Sequence, residues 1–290
     1  MAMEITPLSG AIGAEIRGVD AASLDDGAFS RVHQALLDHG VIVLRDQDIT
    51  PAQQVAFAER WNGLHTHPYL KGIPEHPELI EIIKEPDEEG GFGAHWHTDQ
   101  IFTPEPAMAT MLYAKVVPPF GGDTLFASMT SAYDALSDGM KRMLRGVRSF
   151  NRYNKTAKRS GKMSGKVTDV EKPSEPATHP IIRVHPETGR PSLYINDREN
   201  TPRLDGMTEE ESAPIMSFLL RHATRPEFTC RVRWEVGSLG IWDNRQVLHM
   251  ALNDYPGYRR VMHRLTIKGD VPFGIDEAEQ RGSTKTATNH

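Results

Sequence analysis

The strongest constraint on the fold is a set of short apolar runs, none long enough to make a helix. Val41–Leu44, Ala109–Ala114, Leu193–Ile195, Cys230–Trp234, Leu239–Trp242 and Val261–Ile267 each span only three to seven residues. Turn-forming stretches separate them, so they are expected to be strands. Helices are fewer. Phe29, Val32, Leu36 and Leu37 share one helical face, and Gly40 follows as a stop. Thr50-Pro51-Ala52-Gln53 reads as a capping box with proline at the first helical position. Thr208 to Glu211 is a second box, ahead of Ile215, Phe218 and Leu219. Many short strands with a few outer helices predict a mainly β, α+β protein built as a β-sandwich or jelly roll.

The 290 residues show no internal repeat and no convincing boundary, so a single domain over residues 1–290 is expected. Two stretches differ. Asn154 to Pro176 is polar and carries Lys155, Lys158, Arg159, Lys162, Lys166 and Lys172. It reads as a mobile surface loop or as a lid over an active site. The tail from about Asp276 to His290 is expected to fray.

Charge narrows the partners. A net charge of −6 has the wrong sign for a nucleic-acid binder. No run of about 18 apolar residues could span a membrane, and Met1 to Gly10 lacks a signal-peptide pattern. The lone Cys230 rules out an intramolecular disulfide and a cysteine-based metal site, and is expected as a small buried hydrophobe. A reducing cytoplasm is the expected location.

The chemistry centres on Trp96-His97-Thr98-Asp99. In a strand, residues i and i+2 point the same way, so His97 and Asp99 would aim an imidazole and a carboxylate at one point. His249 is the best third ligand, and the set would form a two-histidine, one-carboxylate facial triad suited to Fe(II). On parity alone, His95 with His97 could equally serve a zinc or cupin-like site, or the segment could be a polar loop with no metal. The last run adds a second clue. In Arg260-Val261-Met262-His263-Arg264-Leu265-Thr266-Ile267, alternation puts Arg260 and Arg264 on one face, roughly 13 Å apart at about 3.3 Å per residue. Arginine in a sheet interior is costly unless it meets an anion, either a ligand or an internal carboxylate.

These residues fall into a recognisable order: Gly10-Ala11-Ile12-Gly13-Ala14-Glu15-Ile16, Leu64-His65-Thr66-His67-Pro68, Trp96-His97-Thr98-Asp99, Gly121-Gly122-Asp123-Thr124, then Ile241-Trp242-Asp243-Asn244-Arg245 through His249 to Arg264. The chain resembles the taurine dioxygenase / 2,4-dichlorophenoxyacetate dioxygenase family of Fe(II)/2-oxoglutarate oxygenases, from about Ile5 to Pro272. The resemblance implies a cupin-like double-stranded β-helix, iron on His97, Asp99 and His249, and 2-oxoglutarate on Thr124 and Arg260. It implies that Arg264 binds the anionic group of a small substrate, with His67 lining that pocket. It further implies O2 as oxidant, succinate and CO2 as co-products, and a homo-oligomer, dimer or tetramer. Retention of Asp99 argues against a halogenase.

The substrate is expected to be a small sulfonate, sulfate ester or aryloxyalkanoate-type carboxylate. Taurine itself fits less well. Taurine enzymes of the family carry an Asn before the Trp-His-Thr-Asp motif, where this chain reads Gly90-Gly91-Phe92-Gly93-Ala94-His95, and a Phe near the position of Glu199. A zwitterionic amino acid or natural-product intermediate, its ammonium met by Glu199, is the alternative. A different class is a cupin-like metal-binding protein without oxygenase activity.

Overall fold

The helices begin where the sequence caps them. In α1 (Asp26–His39), the Asp25 carboxylate accepts from Ala28 N, and Gly40 ends the helix with a left-handed φ of 69°. In α2 (Pro51–Ala58), Thr50 and Gln53 complete both halves of the capping box, as Thr208 and Glu211 do for α5 (Glu209–Ala223). Three glutamates open α5 and Arg221 and His222 close it, which suits the helix dipole. The remaining helices are α3 (Met129–Asp134), α4 (Asp138–Leu144) and α6 (Ile275–Ala287). No helix among the described residues is long and apolar enough to cross a membrane.

The computed structural model describes residues 2–66, 70–153, 176–197 and 199–287, so most of the 154–176 loop lies outside the described residues. The strands are β1 (Glu4–Pro7), β2 (Ala14–Arg17), β3 (Val41–Leu44), β4 (Ile80–Lys84), β5 (Ala109–Val116), β6 (Thr124–Ser128), β7 (Arg148–Asn151), β8 (Ala177–Pro180), β9 (Ile182–Val184), β10 (Pro191–Leu193), β11 (Arg203–Leu204), β12 (Thr229–Val232), β13 (Leu239–Asp243), β14 (Val247–Ala251) and β15 (Arg260–Ile267). Sheet dominates, with few helices.

One seven-stranded sheet has the order β1-β2-β3-β13-β5-β15-β4. All of its pairings are antiparallel except β2 with β3. A three-stranded sheet, β12-β6-β14, faces it. The two-residue period of a strand splits the large sheet cleanly. Ile42, Leu44, Met111, Tyr113, Leu239, Ile241, Leu265 and Ile267 pack on Val32 and Leu36 of α1 and Phe57 of α2. Val41, Val43, Leu112, Ala114, Trp242 and Met262 meet Phe126, Cys230, Val232 and Val247 of the small sheet. The cleft described below opens between these two sheets. Cys230 sits in this inter-sheet core, where burial pushes its thiol up to about 12.

One expectation needs correction. The 94–99 segment is not a strand; His97 makes a single isolated bridge to His249. Further on, α6 continues to Ala287. Buried Phe273 anchors its start, its carbonyl accepting from Val184 N, and Arg145 pairs with Asp276 and Glu279 at 2.6 and 2.7 Å.

Met111 is fully buried on the central strand β5. Met111→Ala is expected to cost about 2–5 kcal/mol through lost burial and a residual cavity. Urea unfolding should show a lower midpoint with an unchanged slope.

Candidate active site

A reciprocal backbone bridge builds the site. His97 N donates to His249 O at 3.0 Å, and His249 N donates back to His97 O at 2.8 Å. Residues that exchange both bonds stand directly opposite one another. The two imidazole rings are therefore neighbours, with centroids 4.1 Å apart. His97 Nδ1 lies 2.7 Å from the carbonyl of His95. A carbonyl only accepts, so Nδ1 carries the proton and Nε2 offers its lone pair. His249 is held differently. Its ring packs against Trp242 and Phe126, and its buried Nδ1 has no hydrogen-bond partner among the described residues.

Asp99 completes the group. Its two oxygens lie 3.9 Å from His97 Nε2 and His249 Nε2, and one ligand atom from each of the three residues falls within 4.8 Å of the others. Thr110 donates to Asp99 Oδ2 at 2.5 Å and Arg264 donates to Oδ1 at 2.8 Å. Burial alone would raise the Asp99 pKa, but Arg264, the histidines and the Thr110 hydroxyl outweigh it and hold the carboxyl well below its usual range. Burial also lowers both histidines, so they stand neutral with lone pairs available. This donor set fits a divalent metal: two neutral imidazoles, one ionised carboxylate, and an outer ring of hydrogen bonds that orients it.

Asn244 is the hub of that outer ring. Its carbonyl accepts from the Thr98 hydroxyl at 2.8 Å, its Oδ1 faces Asp99 N at 3.4 Å, and its Nδ2 donates to Thr110 Oγ1 at 3.0 Å. Sequence reading had not singled out Thr110, and it had noted Asn244 only as part of a motif. Gly93 matters by what it lacks. Its φ is +73°, and a Cβ there would lie 3.0 Å from His97 Cε1.

The triad lines a cleft with Thr124, Arg260 and Arg264, walled by Ile82, Phe92, Leu112, Trp242 and Ala251. Arg264 is taken up by Asp99. Arg260 is not: it is 8% exposed, pairs with no carboxylate among the described residues, and its buried Nε has no partner. Burial lowers its pKa, as expected of a cation stripped of water. His95 is outside the metal group; it is half-exposed and faces Asp197 at 3.4 Å. His67 lies outside the described residues. Glu199 is exposed, its N–H donating to Asp197, and does not line the cleft. A roomier hollow beside α1, lined by Phe29, Trp61 and Arg245, has no such ligand set; Arg245 there is paired with Asp243 and Glu187.

Two histidines and a carboxylate on one side of a buried cleft leave half of an octahedron open, the arrangement of non-haem Fe(II) oxygenases. Comparison with known proteins reaches the same class by another route. The model of the taurine catabolism dioxygenase TauD, TfdA family matches residues 4–266, and the chain belongs to that family. It is 33% identical over 282 residues to an alkylsulfatase of Acinetobacter baylyi, covering 94% of this chain and 87% of the relative. It is 31% identical over 292 residues to an alpha-ketoglutarate-dependent sulfate ester dioxygenase of Pseudomonas putida, covering 98% and 95%. A crystal structure of a taurine dioxygenase from Burkholderia xenovorans superposes with a TM-score of 0.81 at 34% identity, over 95% of this chain and 92% of that one. The protein is thus an oxidoreductase, a 2-oxoglutarate-dependent dioxygenase using Fe(II) and O2.

Thr110→Val removes the hydroxyl that orients Asp99 and keeps the side-chain volume. Outer hydrogen bonds of this kind are worth roughly 10- to 100-fold in metal affinity. Titration of the metal-free protein with Mn(II) should show a loss in that range, with the far-UV circular dichroism unchanged.

Proposed function

We propose that this enzyme hydroxylates a small anionic substrate, of the sulfate ester, sulfonate or carboxylate class, with the oxidation of 2-oxoglutarate to succinate and CO2. Unpaired Arg260 carries this reading. A buried guanidinium that pairs with no carboxylate among the described residues calls for an anion, and a bidentate carboxylate matches its fork. Thr124 lines the same cleft and adds a hydroxyl. We assign these two residues to the distal carboxylate of 2-oxoglutarate, and His97, Asp99 and His249 to iron.

Arg264 is assigned to the substrate. One of its nitrogens serves Asp99, and a guanidinium has five N–H donors, so others are left for an incoming anion. The family resemblance adds His67 to that pocket. The relatives named for sulfate esters favour an alkyl sulfate or a close analogue. Glu199 has no role in this reading, since it stands outside the cleft, and that weakens the zwitterionic alternative.

When bound, Fe(II) with 2-oxoglutarate and O2 supplies the oxidising chemistry. The protein's own residues do the rest. Arg260 and Thr124 fix one end of the cosubstrate, and Arg264 fixes the substrate's charged end so that a carbon next to the anionic group faces the triad. Ile82, Leu112 and Trp242 keep water from the reacting groups. A carbon bearing both the new hydroxyl and a sulfate ester oxygen collapses to an aldehyde and free sulfate.

The same reading makes the two facing sheets a double-stranded β-helix. It places the chain in the cytoplasm as a homo-oligomer acting on free small molecules, without nucleic-acid or membrane partners. The acidic balance and the single buried thiol are in keeping with this.

Succinate release over a panel of alkyl sulfates, sulfonates, aryloxy acids and amino acids tests the substrate. Turnover of the amino acids alone would overturn the proposal. Arg264→Ala should lose about 100-fold or more in kcat/KM while 2-oxoglutarate still binds, because a charge-assisted hydrogen bond contributes about 1.5–3 kcal/mol and the fork makes two. Arg260→Ala should instead weaken 2-oxoglutarate. The reverse pattern would show that the two arginines exchange roles.

A further inference from the structure

We propose that Trp234 is a positioning residue for the cosubstrate, acting through Thr124. Its indole N–H occupies one lone pair of the Thr124 hydroxyl and leaves the proton free to donate into the cleft. The inference rests on the assignment of Thr124 to 2-oxoglutarate.

Thr124 opens β6 and pairs with Val232, the last residue of β12. Two residues further on, Trp234 is 5% exposed and donates from Nε1 to Thr124 Oγ1 at 2.9 Å. Trp234 does not itself line the cleft. A threonine hydroxyl has one proton and two lone pairs, whereas an indole N–H can only donate. Trp234 therefore occupies a lone pair and cannot take the proton. Thr124 is 3% exposed, and no acceptor for that proton stands among the described residues. The cleft, where Arg260 also lacks a partner, is where an acceptor would be met.

The direction of this bond decides what Thr124 offers. Had a backbone carbonyl stood behind it, the hydroxyl would donate backwards and show only lone pairs to the cleft. Lone pairs repel a carboxylate. With an indole behind it, the hydroxyl joins Arg260 as a second donor for one anionic group. The fold reserves space for this arrangement at Gly240 on β13, where a Cβ would lie 2.6 Å from Trp234 Cη2. Any side chain at 240 would displace the ring that orients Thr124.

A double-mutant cycle on 2-oxoglutarate binding tests the idea, read by calorimetric titration of Mn(II)-loaded enzyme. For Trp234→Phe we expect binding weaker by about 3- to 10-fold, the size of one hydrogen bond. In turnover, the change should fall on KM for 2-oxoglutarate more than on kcat. Thr124→Val should weaken binding at least as much, and the double variant should be no weaker than Thr124→Val alone. Unchanged binding in Trp234→Phe, or additive losses in the double variant, would overturn the inference. Unchanged binding in Thr124→Val would instead sink the assignment of Thr124 beneath it. Should Trp234→Phe fold poorly, replacing the Trp234 indole by its benzothiophene isostere keeps the ring and removes only the N–H. The same loss is then expected, and retained affinity would overturn the inference.

Discussion

Two backbone hydrogen bonds between His97 and His249 hold the site together. They join a loop to a strand 152 positions later in the chain and set the two imidazoles side by side. The loop around His97 has no strand of its own to stiffen it. Its position comes from β14, whose own place is set by pairing with β6. Thr124 begins that same β6, so His249 and Thr124 share one small sheet. The arginines come from the facing sheet. Relative placement of the reacting groups therefore depends on how the two sheets pack, through Phe126, Trp242 and Met262.

The charges in the cleft are held unequally. Asp99 is saturated: a hydroxyl on one oxygen and a guanidinium on the other. Arg260, on the same strand as Arg264, has no such partner. A protein interior tolerates an unpaired cation only where something else supplies the anion, since several kcal/mol oppose its burial. The asymmetry separates two residues that sequence alone presents as equivalent. It is also why the proposed reading gives the two arginines different roles.

Much of this was legible beforehand, for identifiable reasons. Val41–Leu44 is a strand because four apolar residues, three of them valine or isoleucine, are buried on both faces of a sheet. Capping boxes announced α2 and α5 because a cap is local chemistry. The His97 and Asp99 pair was found by strand parity, yet the structure uses a loop and one bridge. The structure brings His97, Asp99 and His249 together, though not by strand parity. Strand β14 was not foreseen, since Val-Leu-His-Met-Ala has no alternating pattern and owes its conformation to β6. Thr110 and Asn244 were invisible for a related reason. Their value lies in a hydrogen bond between residues 134 positions apart, which no local pattern records. Trp234 was read only as part of an apolar run, with its N–H left out of account.

The unpaired arginine has a consequence for charge balance. With neutral histidines, the cleft's two arginines and one aspartate leave a single positive charge among its lining residues. In the proposed occupancy a divalent iron raises this to three, and the 2-oxoglutarate dianion returns it to one. A substrate with one negative charge then makes the filled cavity electrically neutral. A neutral molecule would leave a buried positive charge, and a dianion would leave a negative one. By this count the cavity selects for valence as much as for shape, and a monoester of sulfuric acid, a sulfonate or a monocarboxylate satisfies it equally well.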